Sequence, residues 1–261
     1  MEEWKRICDV AVDASRRGGD VLQSWASRFT VSEKGPSDLV TEADIASQTA
    51  VVETISAVYP DHDLLGEEGL SRALGKSPYR WIIDPLDGTS NYVHGFPYYA
   101  VSIGVEYEGE LVAGVIYDPN RDELFSAIRG EGAWMNGGKI QPSKSHQLSD
   151  AFLVASLPRR AAPESVAVRR FLRAMPVSES VQRTGSAALN LAYVACGRID
   201  AFWSSSLCPW DTAAGALLVV ESGGIVTAIT SGDFRVEQPE ILAVNGPELH
   251  AAVQKLLKSD D

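Results

Sequence analysis

Between Trp81 and Tyr92 the chain reads WIIDPLDGTSNY, an apolar run that ends on two aspartates, Asp84 and Asp87. Residues such as Trp81, Ile82 and Ile83 belong in a core, and a carboxylate carried in with them is costly to desolvate unless something compensates its charge. The fold must therefore end this segment either on a turn whose amides satisfy both carboxylates or around a positive charge. The Asp-Pro-x-Asp-Gly composition suits the first solution. The second is equally open: Pro85 forbids a regular ladder, Gly88 lets the backbone approach closely, and the Leu86 carbonyl between the aspartates is a third oxygen. Hard divalent cations take oxygen ligands, and Mg²⁺ uses a few carboxylates together with water and phosphate oxygens.

The flanking patterns place this segment in a mixed fold. Residues 3–25 carry Ile7, Val10, Ala14, Val21, Leu22 and Trp25 at helical spacing, weakened in the middle by Gly18-Gly19. A Gly-Pro turn leads into a second helix over Glu42–Val58, closed by Pro60. DLLG and RWIID read as short strands, 98–117 as two strands joined at Glu108-Gly109, and ELFSAIRG and AWMNGGKI as further strands with a hairpin signal at Asn136-Gly137. From AFLVASL onward strands alternate with helices at 163–175, SAALNLAYVAC, DTAAGALLVVES and a last helix from Pro247. That is an α/β pattern of helices packed on sheets. The polar stretch Gln141–Asp150 is the expected boundary.

The acidic residues Glu67, Glu68, Asp84, Asp87 and Asp211 all fall where an apolar segment stops, which is where α/β folds build their sites. Two other positions have simpler readings. Thr41 and Asp44 in VTEAD have the spacing of a helix-capping box, and Asp211 at a helix start is ordinarily a cap favoured by the dipole. Lys34 reads by itself as a solvated lysine. The four histidines have no ligand spacing, and the glycine pairs belong to no phosphate or dinucleotide loop. A formal net charge of −12 argues against a nucleic-acid partner. Three widely spaced cysteines suggest no disulfide framework. With no secretory leader in MEEWKRICDV and no membrane-length apolar stretch, the expectation is a cytoplasmic protein.

Taken in order, GPSDLVTEAD, LLGEEG, WIIDPLDGTSNYVHGFPYYAVSIG, GAWMNGGKI, TGSAALNLAYVACG and PWDTAAGALLVVESGG resemble the inositol monophosphatase family of metal-dependent, lithium-sensitive phosphatases. The resemblance spans nearly the whole chain. It implies layered α and β in an αβαβα arrangement, with an N-terminal half over 1–146, a C-terminal half over 147–261 and the active site between them. It implies that Glu67, Asp84, the Leu86 carbonyl, Asp87 and Asp211 are ligands for two or three Mg²⁺. Glu68 matches a neighbouring acidic position of secondary importance. Asp44 and Thr89 match the pair that orients a metal-bound water, with Glu67 close to that chemistry, so the resemblance gives Asp44 a role that the isolated motif does not. Gly88, Thr89 and Ser90 match the segment whose amides hold phosphate. Lys34 matches a lysine near the site, and Gly185, Ser186 and Ala187 a substrate-contacting loop. A homodimer is implied as well.

One position departs from the family pattern. Members acting on inositol phosphates often carry Glu seven residues before the Trp-Asp aspartate, and here that residue is Ser204. The expected activity is Mg²⁺-dependent hydrolysis of a small polyol phosphate, inositol monophosphate first. Fructose 1,6-bisphosphate and histidinol phosphate are alternatives, and a phosphorylated nucleotide the weakest. A metal-binding regulator with little turnover, or a dimer whose carboxylates serve only folding, is the rival from another class.

Overall fold

The computed structural model describes residues 2–26, 28–35, 38–230 and 232–258, with backbone only for 33–35 and 38–39. The first half comprises α1 (Glu2–Trp25), the hairpin β1 (Val31–Gly35) and β2 (Asp38–Thr41), then α2 (Glu42–Val58). It continues through β3 (Asp63–Gly66), β4 (Ser71–Arg72), β5 (Tyr79–Asp87), the single turn α3 (Thr89–Val93), β6 (Ala100–Tyr107), β7 (Glu110–Asp118), β8 (Glu123–Ile128), β9 (Gly132–Met135) and β10 (Gly138–Lys139). The second half runs β11 (Phe152–Ala155), α4 (Val166–Ala174), β12 (Ser180–Gln182), α5 (Ala187–Ala195), β13 (Ala201–Ser204), α6 (Pro209–Ser222), β14 (Ile225–Thr227), β15 (Ile241–Val244) and α7 (Pro247–Lys258). The boundary expected near residue 146 falls in the connection from β10 to β11.

Strands β10-β9-β8-β7-β6-β5-β3-β4 form an eight-stranded sheet, and β12-β11-β13-β15-β14 a five-stranded one. Helices α1 and α2 cover one face of the large sheet, α5 and α6 lie between the two sheets, and α4 and α7 close the far side, giving αβαβα layers. Because both sheets are covered on both faces, their strands are apolar throughout rather than alternating. On β5, Trp81 and Ile83 face α1 and α2 while Ile82 faces the α6 side. On β15, Ile241 and Ala243 face the middle layer while Leu242 and Val244 face α7.

Small residues set the spacing of these layers. A Cβ on Gly18 would lie 2.9 Å from Ser47 Oγ and Val51 Cγ2 of α2, so the glycines that weaken α1 locally are what lets the helices meet. On the other face, α6 is seated directly on the sheet. A Cβ on Gly104 would come within 2.7 Å of Ala213 Cβ, and one on Gly114 within 2.7 Å of the Ala214 carbonyl. Ser102 Oγ also donates to the Trp210 carbonyl at 3.3 Å. The small-residue run DTAAGA thus holds the start of α6 against β6, one strand away from Asp84.

Candidate active site

The two aspartates of the opening segment are reached by a bulge. Asp84 pairs with Ser102 and Asp87 with Ala100, so three steps along β5 match two along β6. The extra residue restores parity, and carboxylates that a regular strand would send to opposite faces emerge on the same one. Pro85, which has no amide to give the ladder, sits inside that bulge. Ser47 Oγ donates to its carbonyl at 3.0 Å, tying the bulge to α2.

Each carboxylate is held by one oxygen to the scaffold. Asp84 Oδ1 accepts from the Leu86 amide at 3.0 Å. Asp87 Oδ2 accepts from Ser186 Oγ at 2.5 Å and the Ala188 amide at 2.7 Å. Asp211 is the third residue of α6, and its Oδ2 accepts from the Cys208 amide at 2.6 Å, closing a capping box with Pro209 at the helix start. Oxygens of Asp84, Asp87 and Asp211 come within 4.8 Å of one another. Glu67, whose amide donates to the Ile83 carbonyl at 3.3 Å, lines the same cleft from the end of β3.

Buried and crowded together, these carboxyls are raised above their ordinary range. Burial pushes Asp211 up to about 8, aided by the charge of Asp87. Burial also raises Asp87 to about 6 against the opposing hydrogen bonds from Ser186, Ala188 and Ala187. Asp84 is driven well above the carboxylate range by burial first and then by Glu67, Asp87 and Asp211. Its Oδ2 is buried with no hydrogen-bond partner among the described residues. A divalent cation fits this donor set, because it supplies both the missing charge and the missing partner.

The Thr41–Asp44 pair is the capping box its spacing suggests. Thr41 Oγ1 accepts from the Asp44 amide at 3.3 Å, and Asp44 Oδ2 accepts from the Thr41 amide at 2.8 Å and its hydroxyl at 2.5 Å. The other oxygen, Oδ1, faces Thr89, whose hydroxyl lies 3.2 Å from it and 3.2 Å from the Leu86 carbonyl. The capping and functional readings are therefore compatible, since a carboxylate has two oxygens. Burial raises the Asp44 carboxyl above its ordinary range, partly countered by Thr41.

The cleft has a volume of about 810 Å³ and is lined by Leu86, Gly88, Thr89, Ser90, Gly185 and Ala187 beside the carboxylates. Gly88 takes the left-handed φ of 102° that starts α3. Two expected substrate positions lie elsewhere. Ser186 is fully buried; it caps α5 and orients Asp87, so its neighbours Gly185 and Ala187 face the cleft without it. Ser204 is buried at the end of β13, where its hydroxyl accepts from the Ser206 amide at 3.4 Å. The Glu68 backbone is bracketed by the Gln48 side chain at 3.2 and 3.3 Å, and the Lys34 side chain lies outside the described residues. None of the four histidines lines the cleft.

Sequence reasoning missed the second wall. Asn91 Nδ2 donates to the carbonyls of Tyr98 at 2.7 Å and Thr184 at 2.9 Å, stitching α3 to the loop before α5. Ser156–Arg159, Arg183, Ser206–Cys208 and Trp210 also line the cleft. Asn91, two residues after Thr89, and Trp210, beside Asp211, were legible by proximity, whereas nothing in the spacing of the others marks them.

The profile of the inositol monophosphatase family matches residues 3–260. Inositol monophosphatase 2 of Solanum lycopersicum is 38% identical over 268 residues, covering 100% of both chains. The Nus factor SuhB of Pseudomonas aeruginosa is 39% identical, covering 92% of this chain and 91% of its own. The crystal structure of the extragenic suppressor protein suhB from Bartonella henselae superposes with a TM-score of 0.93 at 36% identity, covering 98% of this chain and 100% of that one. With the layered fold and the acidic cleft already in place, a match over this length leaves one conclusion: the chain belongs to the inositol monophosphatase family, a family of metal-dependent phosphatases.

Proposed function

We propose that this protein is a Mg²⁺-dependent phosphomonoesterase acting on small polyol phosphates, with inositol 1-phosphate as the reference substrate. The observation that carries this reading is the convergence of Asp84, Asp87 and Asp211 around a buried, partnerless Asp84 oxygen. Asp84, Asp87, Asp211, Glu67 and the Leu86 carbonyl would hold the cation. Bound there, Mg²⁺ supplies charge neutralisation for the phosphoryl oxygens and a water of lowered pKa.

The chain's own groups do the rest. The Gly88–Thr89–Ser90 backbone receives the phosphoryl oxygens, and Gly185 and Ala187 border the leaving group. Thr89 orients the attacking water and Asp44 accepts the proton through it. Its raised carboxyl is the better acceptor for being buried. No histidine lines the cleft, and Cys208, the one cysteine among its described lining residues, sits at the start of α6 with its amide on Asp211, an arrangement that suits direct attack by water.

Phosphate release from inositol 1-phosphate, measured with Mg²⁺ and after chelation, tests the proposal. Asp87→Asn should abolish release while the protein stays folded; full activity of that variant at saturating Mg²⁺ would refute the ligand assignment. The relative named Nus factor keeps a partner-binding role open as a second reading. A chain that binds Mg²⁺ but releases no phosphate from any small ester would favour it.

A further inference from the structure

The cleft has two walls of opposite charge. The floor, from β3, β5 and α6, carries the carboxylates. The facing wall is made by the loops that follow three strands of the small sheet. β11 runs parallel to β12, with Val154 beside Gln182, and parallel to β13, with Ala155 beside Trp203. Their C-terminal ends therefore open on one edge, the position where sheets of this kind receive ligands. The loops after them bring Arg159 and Arg183 to the cleft, and both residues are exposed. Among the described lining residues of the second half, Asp211 is the single acid and it belongs to the floor.

Arg183 is held in place by its neighbours. Asn91 grips the adjacent Thr184 carbonyl at 2.9 Å, and Ser186, three residues on, is bonded to Asp87 at 2.5 Å. Three residues of chain span at most about 10 Å, so this arginine starts within the length of a small sugar from the carboxylate floor. The position at which the family resemblance leads one to expect a glutamate able to bond substrate hydroxyls is Ser204 here, and it is buried. A wall that lacks this acceptor for hydroxyl protons and offers guanidinium forks suits an oxyanion better than a neutral polyol.

Resting on the phosphatase reading above, we infer that the substrate is a small sugar or polyol phosphate carrying a second anionic group, a phosphate or a carboxylate, which Arg183 and Arg159 bind while the scissile ester lies on the acidic floor. Inositol 1-phosphate is then the weaker member of the substrate range.

The test is a comparison of matched pairs. Steady-state phosphate release with Mg²⁺ is measured on fructose 1,6-bisphosphate against fructose 1-phosphate, and on 6-phosphogluconate against glucitol 6-phosphate, with inositol 1-phosphate alongside. A second phosphate or a carboxylate should raise kcat/KM by 10-fold or more, and the pair showing the larger gain identifies which anion is recognised. Arg183→Gln and Arg159→Gln together should close that gap through KM, by the 10- to 100-fold that losing a hydrogen bond to a charged group brings. Arg183→Lys should restore part of it. Equal kcat/KM within both pairs, or a gap that survives the double substitution, overturns the inference and leaves the phosphatase reading standing. Failure to release phosphate from any of the five esters refutes the phosphatase reading itself and this inference with it.

Discussion

Metal binding to this cleft should expel protons, and the structure sets how many. Asp87 is raised to about 6 and Asp211 to about 8, as one interacting group rather than two independent sites. At pH 7 a group at 6 is roughly nine-tenths ionised and a group at 8 roughly nine-tenths protonated, so loading both as ligands displaces about one proton. Asp84, also pushed up, makes that a lower bound. Isothermal titration with Mg²⁺ in buffers of different ionisation enthalpy reads the number directly as the slope of observed against buffer enthalpy. Release should be at least about one proton at pH 7, and the share that comes from Asp211 should fade as pH climbs past about 8. Stability follows with a definite sign. A carboxyl raised on folding contributes fully below its unfolded value near 4 and loses that contribution as pH climbs through the folded value. Between pH 4 and 8 the metal-free protein should therefore lose stability, at most about 6 kcal/mol through Asp211, whose rise of roughly 4 units counts about 1.4 kcal/mol per unit. Saturating Mg²⁺ should flatten the profile. A slope of zero at pH 7, or a metal-free melting temperature that does not fall from pH 5 to 8, would show that the carboxylates do not share one desolvated site.

Other outcomes follow from single contacts. Thr89→Ala should lower kcat by 10²- to 10⁴-fold, the range for losing a positioned proton-transfer group, with a much smaller change in Mg²⁺ affinity by calorimetry. Equal losses in both would make Thr89 structural. Ser186→Ala removes the 2.5 Å donor to Asp87 and should weaken Mg²⁺ binding 10- to 100-fold, as losses of outer-shell partners do. An unchanged metal titration would free Asp87 from that dependence. Gly104→Ala sets a methyl 2.7 Å from Ala213 Cβ, so overpacking should cost about 1–3 kcal/mol in thermal unfolding. Because α6 carries Asp211, Mg²⁺ affinity should fall with it. A fall in melting temperature without loss of metal affinity would show that α6 tilts without moving its first turn.

Much of the fold was legible from local chemistry. The second helix begins and ends where Thr41, Asp44 and Pro60 place it, and the Asn136-Gly137 hairpin and the start of α7 at Pro247 are likewise local features. What escaped notice was short or held from outside. β4 and β12 have two and three residues, too few for any period, and exist because a neighbouring strand offers an edge. The hairpin of β1 and β2 reads in the sequence only as a Gly-Pro turn. RWIID looks like a strand that stops at Asp84, yet β5 runs through Pro85 to Asp87 because a bulge absorbs the proline.

The candidate site divides along the same line. Which residues are chemically able to hold a cation is a property of the sequence, since buried carboxylates at the ends of apolar runs need a counter-charge wherever the chain goes. Asp44 and Asp211 also take their local geometry from sequence alone, because a capping box is closed within four residues. That Asp211 meets Asp84 across 127 positions is another matter. It depends on Gly104 and Gly114 leaving room for α6 against the sheet, and nothing in the spacing of those glycines announces it. Ser186 and Ser204 make the point in reverse: their types suit a substrate loop, and the layers bury both. Local sequence determined the carboxylates, their caps and the alternation of helices with strands. Only the packing of one layer on another decided which of them face the cleft, because contacts between distant segments are set by side-chain volume and close approach, which carry no periodic trace along the chain.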